Sequence, residues 1–214
     1  MFVGLAFNLY STSKVIQIDK ELTNVKYGKL SFGPVKYRSI IRLYNKDNKF
    51  FCSAVVIDVN YALTAAHCVI NGYSNMKHEE INVYDDLNIN TQVKVLPAAV
   101  DLGRDIALLR GDFNEFQHEE PNFSGNGQDI LPKKVVMQCG YPGGGDLYCS
   151  YGFSVSQYIF RIVVNGSQLY KGMSGGPVFD AQSSTVVGVN SAATSNGTLY
   201  GPIIGADALF GIKE

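Results

Sequence analysis

Short runs of β-branched and aromatic residues recur along this chain, each closed by a turn signal, and they leave little room for helices. Residues 39–44 (SIIRLY), 51–59 (FCSAVVIDV), 90–98, 105–110, 135–139, 158–164 and 186–190 read as strands, because such side chains pack well on a pleated surface. Glycine occurs 22 times and punctuates the intervals. Helical periodicity is confined to a stretch near 63–69 and a terminal turn near 206–210. Strands of this length and spacing suit barrels or sandwiches.

With 214 residues the chain can form one large domain or two small ones, and either buries a substantial core. Hydrophobic residues make up 46% and charged residues 17%, the balance of a globular protein rather than a disordered one. A net charge of −1 provides no basic field, which excludes nucleic acid and anionic membranes as expected partners. No run approaches the roughly 18 apolar residues of a membrane-spanning helix. The opening residues are apolar only briefly and have no Lys or Arg before them, so a trimmed signal and a first strand both stay open. The polar segment 111–134 divides the strand-rich chain into comparable halves. It sets the expected organisation: an extension over 1–34, a first unit over 35–112, a linker over 113–129 and a second unit over 130–214.

Four cysteines, Cys52, Cys68, Cys139 and Cys149, fit no zinc-binding spacing. Their even number points to two disulfides and an oxidising compartment, hence a secreted or periplasmic protein. The sequons at Asn122, Asn165 and Asn196 are compatible with that setting. His78 and His118 each head a His-Glu-Glu triplet, and Glu79, Glu80, Asp85 and Asp86 form an acidic cluster. In these polar stretches solvated loops are the expectation, with no metal and no cofactor.

Three segments carry chemistry: Thr64-Ala65-Ala66-His67-Cys68, then Asp105-Ile106-Ala107-Leu108-Leu109 after Gly103-Arg104, then Gly172-Met173-Ser174-Gly175-Gly176-Pro177. Singly, each has an ordinary structural reading. Together and in this order they resemble the chymotrypsin/trypsin superfamily of serine proteases, on its bacterial and viral side. The resemblance implies an all-β fold of two six-stranded antiparallel barrels with the active site in the cleft between them. It implies peptide-bond hydrolysis by His67, Asp105 and Ser174, with a protein or peptide substrate and a monomeric enzyme. A catalytically inactive binding module on the same fold and a viral polyprotein-processing protease are the rival readings.

The chemistry asks for these residue types. A serine hydroxyl is a poor nucleophile near neutral pH and needs a neighbouring base. His67 would take its proton, and Asp105 would fix the imidazole tautomer. The glycines around Ser174 let the Gly172 and Ser174 amides converge on an oxyanion. Gly172-Met-Ser-Gly-Gly176 also fits the α/β-hydrolase elbow, but that family places its histidine after the serine, and no histidine follows Ser174.

The resemblance also assigns the finer features. Cys52 stands where many members carry the cysteine that bridges to the one after the catalytic histidine, here Cys68. The second expected pair, Cys139 with Cys149, comes from the residues themselves and not from the resemblance, because the Gly- and Pro-rich stretch between them reads as a hairpin tip that a disulfide could pin. Met173 replaces the aspartate that pairs with a newly cut N-terminus in trypsin-like zymogens, so no such activation is expected. The specificity pocket would have Gln168 at its floor, Asn190, Ser191 and Ala192 along one wall, Tyr200 opposite, and Lys171 at the rim. That lining predicts polar neutral or acidic residues before the cleaved bond, and poor cleavage after Arg or Lys.

Overall fold

Alternate residues of single strands face two different apolar environments, which is why those strands read as unbroken hydrophobic runs. The computed structural model describes residues 37–45, 47–71, 76–77, 81–84, 92–124, 134–158 and 160–211. The expected extension over 1–34, His78 and the acidic cluster of Glu79, Glu80, Asp85 and Asp86 lie outside the described residues.

The first half contains β1 (Ile40–Tyr44), β2 (Phe50–Asp58), β3 (Tyr61–Thr64), a single-turn helix α1 (Ala66–Val69), the short pair β4 (Ile70–Asn71) and β5 (Met76–Lys77), β6 (Ile81–Tyr84), β7 (Gln92–Asp101) and β8 (Ile106–Arg110). The order β1-β2-β3-β8-β7-β6 closes into an antiparallel barrel because β6 pairs back onto β1. Ile41, Leu43, Ala54, Val56, Ala62 and Leu109 fill its interior. Their neighbours Ile40, Val55, Leu63, Ile106 and Leu108 point the other way, into a core shared with the second half. A period of two thus serves two cores at once.

The second half contains β9 (Val135–Gly140), β10 (Tyr148–Tyr158), β11 (Arg161–Asn165), β12 (Pro177–Asp180), β13 (Val186–Thr194), β14 (Gly197–Pro202) and the terminal turn of helix α2 (Asp207–Phe210). These strands form an antiparallel sheet ordered β10-β11-β14-β13-β12-β9, in which β9 also pairs with β10. Val136, Ile162, Val164, Val178, Val187 and Tyr200 pack on one side of it. Met137, Phe179, Val189 and Ile203 join the shared core. Among the described residues no helix is long and apolar enough to cross a membrane.

Two sequence expectations shift. The run 158–164 is not one strand: β10 ends at Tyr158 and β11 begins at Arg161, with those two residues paired across a hairpin. The sequence there holds no Gly, Pro, Asn or Asp to mark the turn. The helix expected over 63–69 shrinks to one turn, because Leu63 and Thr64 are held in the ladder to β8 opposite Leu108 and Ala107.

The polar segment after β8 is anchored. Phe113 and Phe116 meet edge to face at 5.7 Å and are buried with the first barrel's core. The Glu119 amide donates to the Val56 carbonyl at 2.9 Å, and its carboxylate accepts from Ser39 Oγ at 2.5 Å. Glu119 is therefore buried rather than solvated. The chain then laces onto β13 through Asn122 N to Val186 O and Val186 N to Glu120 O.

Candidate active site

The loops that carry the three sequence motifs meet where the two halves touch. Asp105 occupies the turn before β8 with φ +62°, a left-handed conformation that aspartate tolerates better than most residues. Its carbonyl accepts from the Ala66 amide at 3.1 Å, and Oδ1 accepts from the His67 amide at 3.0 Å. Asp105 thereby holds the start of α1 and, with it, the His67 side chain. His67 Nδ1 lies 3.1 Å from Oδ1 and 2.9 Å from Oδ2. Ser191 Oγ donates to Oδ2 at 2.5 Å.

Asp105 is almost wholly buried, whereas the His67 side chain is 47% exposed. Burial alone pushes the Asp105 carboxyl up; the hydrogen bond and charge of His67, the Ser191 hydroxyl and the His67 amide outweigh it and hold the group below the ordinary carboxylate range. An ionised Asp105 can only accept, so Nδ1 carries the proton and Nε2 is left as the basic nitrogen. One ligand atom from each of Cys52, His67 and Cys68 lies within 4.8 Å of the others. The disulfide between the two cysteines consumes the thiolates a metal would need.

Ser174 arrives on the loop before β12 and is docked on the first barrel by backbone. The Ser53 amide donates to the Ser174 carbonyl at 2.8 Å. Ser53 Oγ donates to the Gly172 carbonyl at 2.8 Å and accepts from the Tyr141 amide at 3.0 Å. Thr64 Oγ1 donates to the Ser53 carbonyl at 2.8 Å, tying the same strand to the loop that bears His67. The approach is so close that a Cβ on Gly175 would stand 2.1 Å from Thr64 Oγ1 and 2.8 Å from the Ala65 amide nitrogen. Among the described residues the Ser174 hydroxyl has no hydrogen-bond partner. Such bonds are commonly long in substrate-free hydrolases and tighten on binding.

The backbone around Ser174 leaves two amides open. Met173 N donates to Tyr170 O, Gly175 N to Asn190 O and Gly176 N to Met173 O. The Gly172 and Ser174 amides have no acceptor among the described residues. Gly172 makes this path feasible with φ +99°, and a Cβ there would meet Phe50 at 2.6 Å and the Tyr141 carbonyl at 2.7 Å. Met173 is fully buried, and its sulfur lies 3.4 Å from the Tyr170 amide.

Residues 52–189 match the trypsin-like peptidase domain. The chain belongs to the trypsin-like peptidase family. The fold agrees with solved structures of such enzymes. A Glu endopeptidase in complex with MPD superposes with a TM-score of 0.69 at 23% identity, over 86% of this chain and 94% of that one. A serine endoprotease from Yersinia pestis gives 0.61 at 20% identity, over 80% of this chain and 64% of that one. A protease from M. tuberculosis in its active form gives 0.60 at 18%, over 87% and 95%. No curated protein matches the peptidase by sequence. At these identities the likeness is one of fold, the chymotrypsin-like arrangement.

The expected disulfides are both formed, Cys52 to Cys68 and Cys139 to Cys149. The second joins directly opposed residues of β9 and β10. The expected pocket lining needs correction. Asn190 is fully buried, and its amide is committed inward to the Cys139 and Met173 carbonyls and to Gln138. It has no donor left for a substrate. Tyr200 does stand directly opposite Asn190 across β13 and β14, but on the packed face of the sheet, its ring against Gly188, where it lines a cavity with Lys134, Asp180 and Asn122. Ser191 is engaged with Asp105. Gln168 is exposed rather than a closed floor: its oxygen accepts from Tyr170 Oη at 2.7 Å and Tyr148 Oη at 3.5 Å. Ala192 is half-buried and Lys171 exposed.

Ser53, Gln138 and Thr198 escaped the sequence reading. The one available signal was a serine inside the apolar run FCSAVV, since a buried hydroxyl must find partners.

Proposed function

We propose that this peptidase is a serine endopeptidase on a two-barrel fold, with Ser174 as nucleophile, His67 as general base and Asp105 as the group that orients it. The bidentate approach of Asp105 to His67 Nδ1 carries the reading, because it leaves Nε2 as the basic nitrogen of a side chain that is 47% exposed. Ser174 Oγ attacks the scissile carbonyl carbon while its proton passes to His67 Nε2. The oxyanion so formed accepts from the open Gly172 and Ser174 amides, each such donor being worth about 10²–10³ in rate. The C–N bond then breaks, the amine leaves with the proton from His67, and an ester to Ser174 remains. Water, deprotonated by the same nitrogen, repeats the attack and releases the acid. No cofactor enters these steps.

The substrate is a protein or peptide taken by a monomeric enzyme, and the two disulfides fit a secreted or periplasmic setting. With Asn190 and Tyr200 turned inward, Gln168 and the tyrosines around it supply the neutral, polar side of the specificity site. None of these groups carries a counter-charge for Arg or Lys, so they give no attraction that would favour cleavage after basic residues. A fluorogenic library varied at that position tests this; dominant cleavage after Arg or Lys overturns it. For the mechanism, Ser174→Ala and His67→Ala should each lose on the order of 10⁶ in kcat, and the double variant little more. Wild-type turnover in either single variant refutes the assignment.

A further inference from the structure

The two open amides lie in separate peptide planes, and each plane is held by what its carbonyl accepts. A peptide unit is rigid, so fixing the C=O of one residue fixes the N–H of the next. The Gly172 amide belongs to the plane of the Lys171 carbonyl, which accepts from the Gly143 amide at 2.8 Å. The Ser174 amide belongs to the plane of the Met173 carbonyl. That carbonyl accepts from Gly176 N and, at 3.1 Å, from Asn190 Nδ2.

Asn190 is placed to grip the whole turn. Its own carbonyl accepts from Gly175 N at 2.8 Å, and its amide donates to Gly176 O at 2.8 Å. Its second Nδ2 hydrogen goes to the Cys139 carbonyl at 2.7 Å. Oδ1 accepts from Gln138 Nε2 at 3.1 Å, and Gln138 Oε1 accepts from Thr198 Oγ1 at 2.6 Å. All three side chains are buried. Two amides and a hydroxyl removed from water are stable only when each is paired, and in this relay each is. The relay orients every member and ends on the carbonyl behind the nucleophile's N–H.

Resting on the serine-hydrolase reading above, we propose that Asn190, backed by Gln138 and Thr198, is a positioning residue that sets the Ser174 amide as an oxyanion donor. It touches no substrate and acts only through the Met173–Ser174 peptide. Its loss should therefore weaken the transition state and leave ground-state binding alone.

The experiment measures turnover of p-nitrophenyl butyrate and inhibition by phenylboronic acid, whose tetrahedral serine adduct places an oxygen in the hole. Asn190→Asp keeps the shape and removes the paired Nδ2 donors, since even a protonated carboxyl supplies one hydrogen where two carbonyls are served. It should lower kcat by about 10²-fold, leave KM within about threefold, and weaken the boronate in parallel with kcat. Thr198→Val, which removes only the hydroxyl behind Gln138, should lower kcat by about fivefold with the same split. Thermal melting establishes that each variant is folded; if Asn190→Asp loses its cooperative transition, Thr198→Val decides alone. A folded variant with wild-type kcat and boronate affinity overturns the inference, as does a rise in KM at unchanged kcat. Wild-type turnover over a Ser174→Ala blank separates the two readings. No excess over the blank refutes the parent reading and this one with it, while an active wild type with unaffected variants refutes this one alone.

Discussion

Gly175→Ala separates backbone strain from loop displacement, because a second glycine offers the matching control. Gly175 has φ +78° and Gly205 φ +69°, so alanine at either position costs about 1–2 kcal/mol for the left-handed conformation. The surroundings differ sharply. A Cβ on Gly205 meets nothing within 4 Å, while one on Gly175 stands 2.1 Å from Thr64 Oγ1, 2.4 Å from the Ser53 carbonyl and 2.8 Å from Ala65 N. Ordinary van der Waals contact begins at 3.4 Å, so about 1 Å of separation must be found. Two of the three obstacles are backbone, and the third is a buried hydroxyl already bonded to Ser53. The Ser174 loop must therefore lift from the His67 loop. A misplacement of that size costs about 10²-fold in reactivity. For a chain of this length 1 kcal/mol moves Tm by about 2–4 °C, so Gly205→Ala should lower Tm by about 2–8 °C at unchanged kcat/KM. Gly175→Ala should lower Tm at least as much and cut kcat/KM by about 10²-fold or more. Differential scanning fluorimetry and ester or peptide turnover on both variants read this directly. Full activity in a folded Gly175→Ala would refute the tight apposition of the two loops.

Asp105→Asn should lower kcat by about 10⁴-fold, since an amide can present its N–H to Nδ1 and favour the wrong tautomer. Because the folded state holds the Asp105 carboxyl below its usual range, its stabilisation is complete above about pH 4 and is lost as pH falls through the folded value. Urea melts should accordingly show wild type and Asp105→Asn converging in acid; a gap that widens there contradicts the shift. Replacing Cys52 and Cys68 by serine opens a loop of separation 16 and should cost about 3 kcal/mol in denaturant melts, with an unchanged Tm as the contrary result. Acetylating or extending the mature N-terminus should leave turnover intact, since the residue before the nucleophile is the uncharged, buried Met173; a large loss would show that a free amino group is needed.

The segments that bear local patterns were legible in the sequence. FCSAVV and DIALL read as strands because residues such as Val55 and Leu108 face the shared core while Val56 and Leu109 face the barrel interior. The motifs with His67, Asp105 and Ser174 could be read because a nucleophile, its base and its orienting acid demand particular residue types. What could not be read depends on partners distant in sequence. β10 carries serines and a glycine in YCSYGFSVSQY, a loop-like composition that becomes a strand because β9 and β11 pair on both its edges. Asn190 looked like a pocket residue until its neighbours were fixed: Gln138 lies 52 residues away and Met173 17. Tyr200 stays opposite Asn190 as expected, but the register turns both onto the packed face of the sheet, a choice that residue type alone does not make.

The central claim is that Ser174 is an activated nucleophile. Incubating the folded protein with a fluorophosphonate probe and mapping the adduct by peptide mass spectrometry tests it most directly. A single adduct on Ser174, absent in Ser174→Ala and strongly slowed in His67→Ala, is the predicted result. No adduct on the folded wild type, or labelling that persists unchanged in Ser174→Ala, would contradict it.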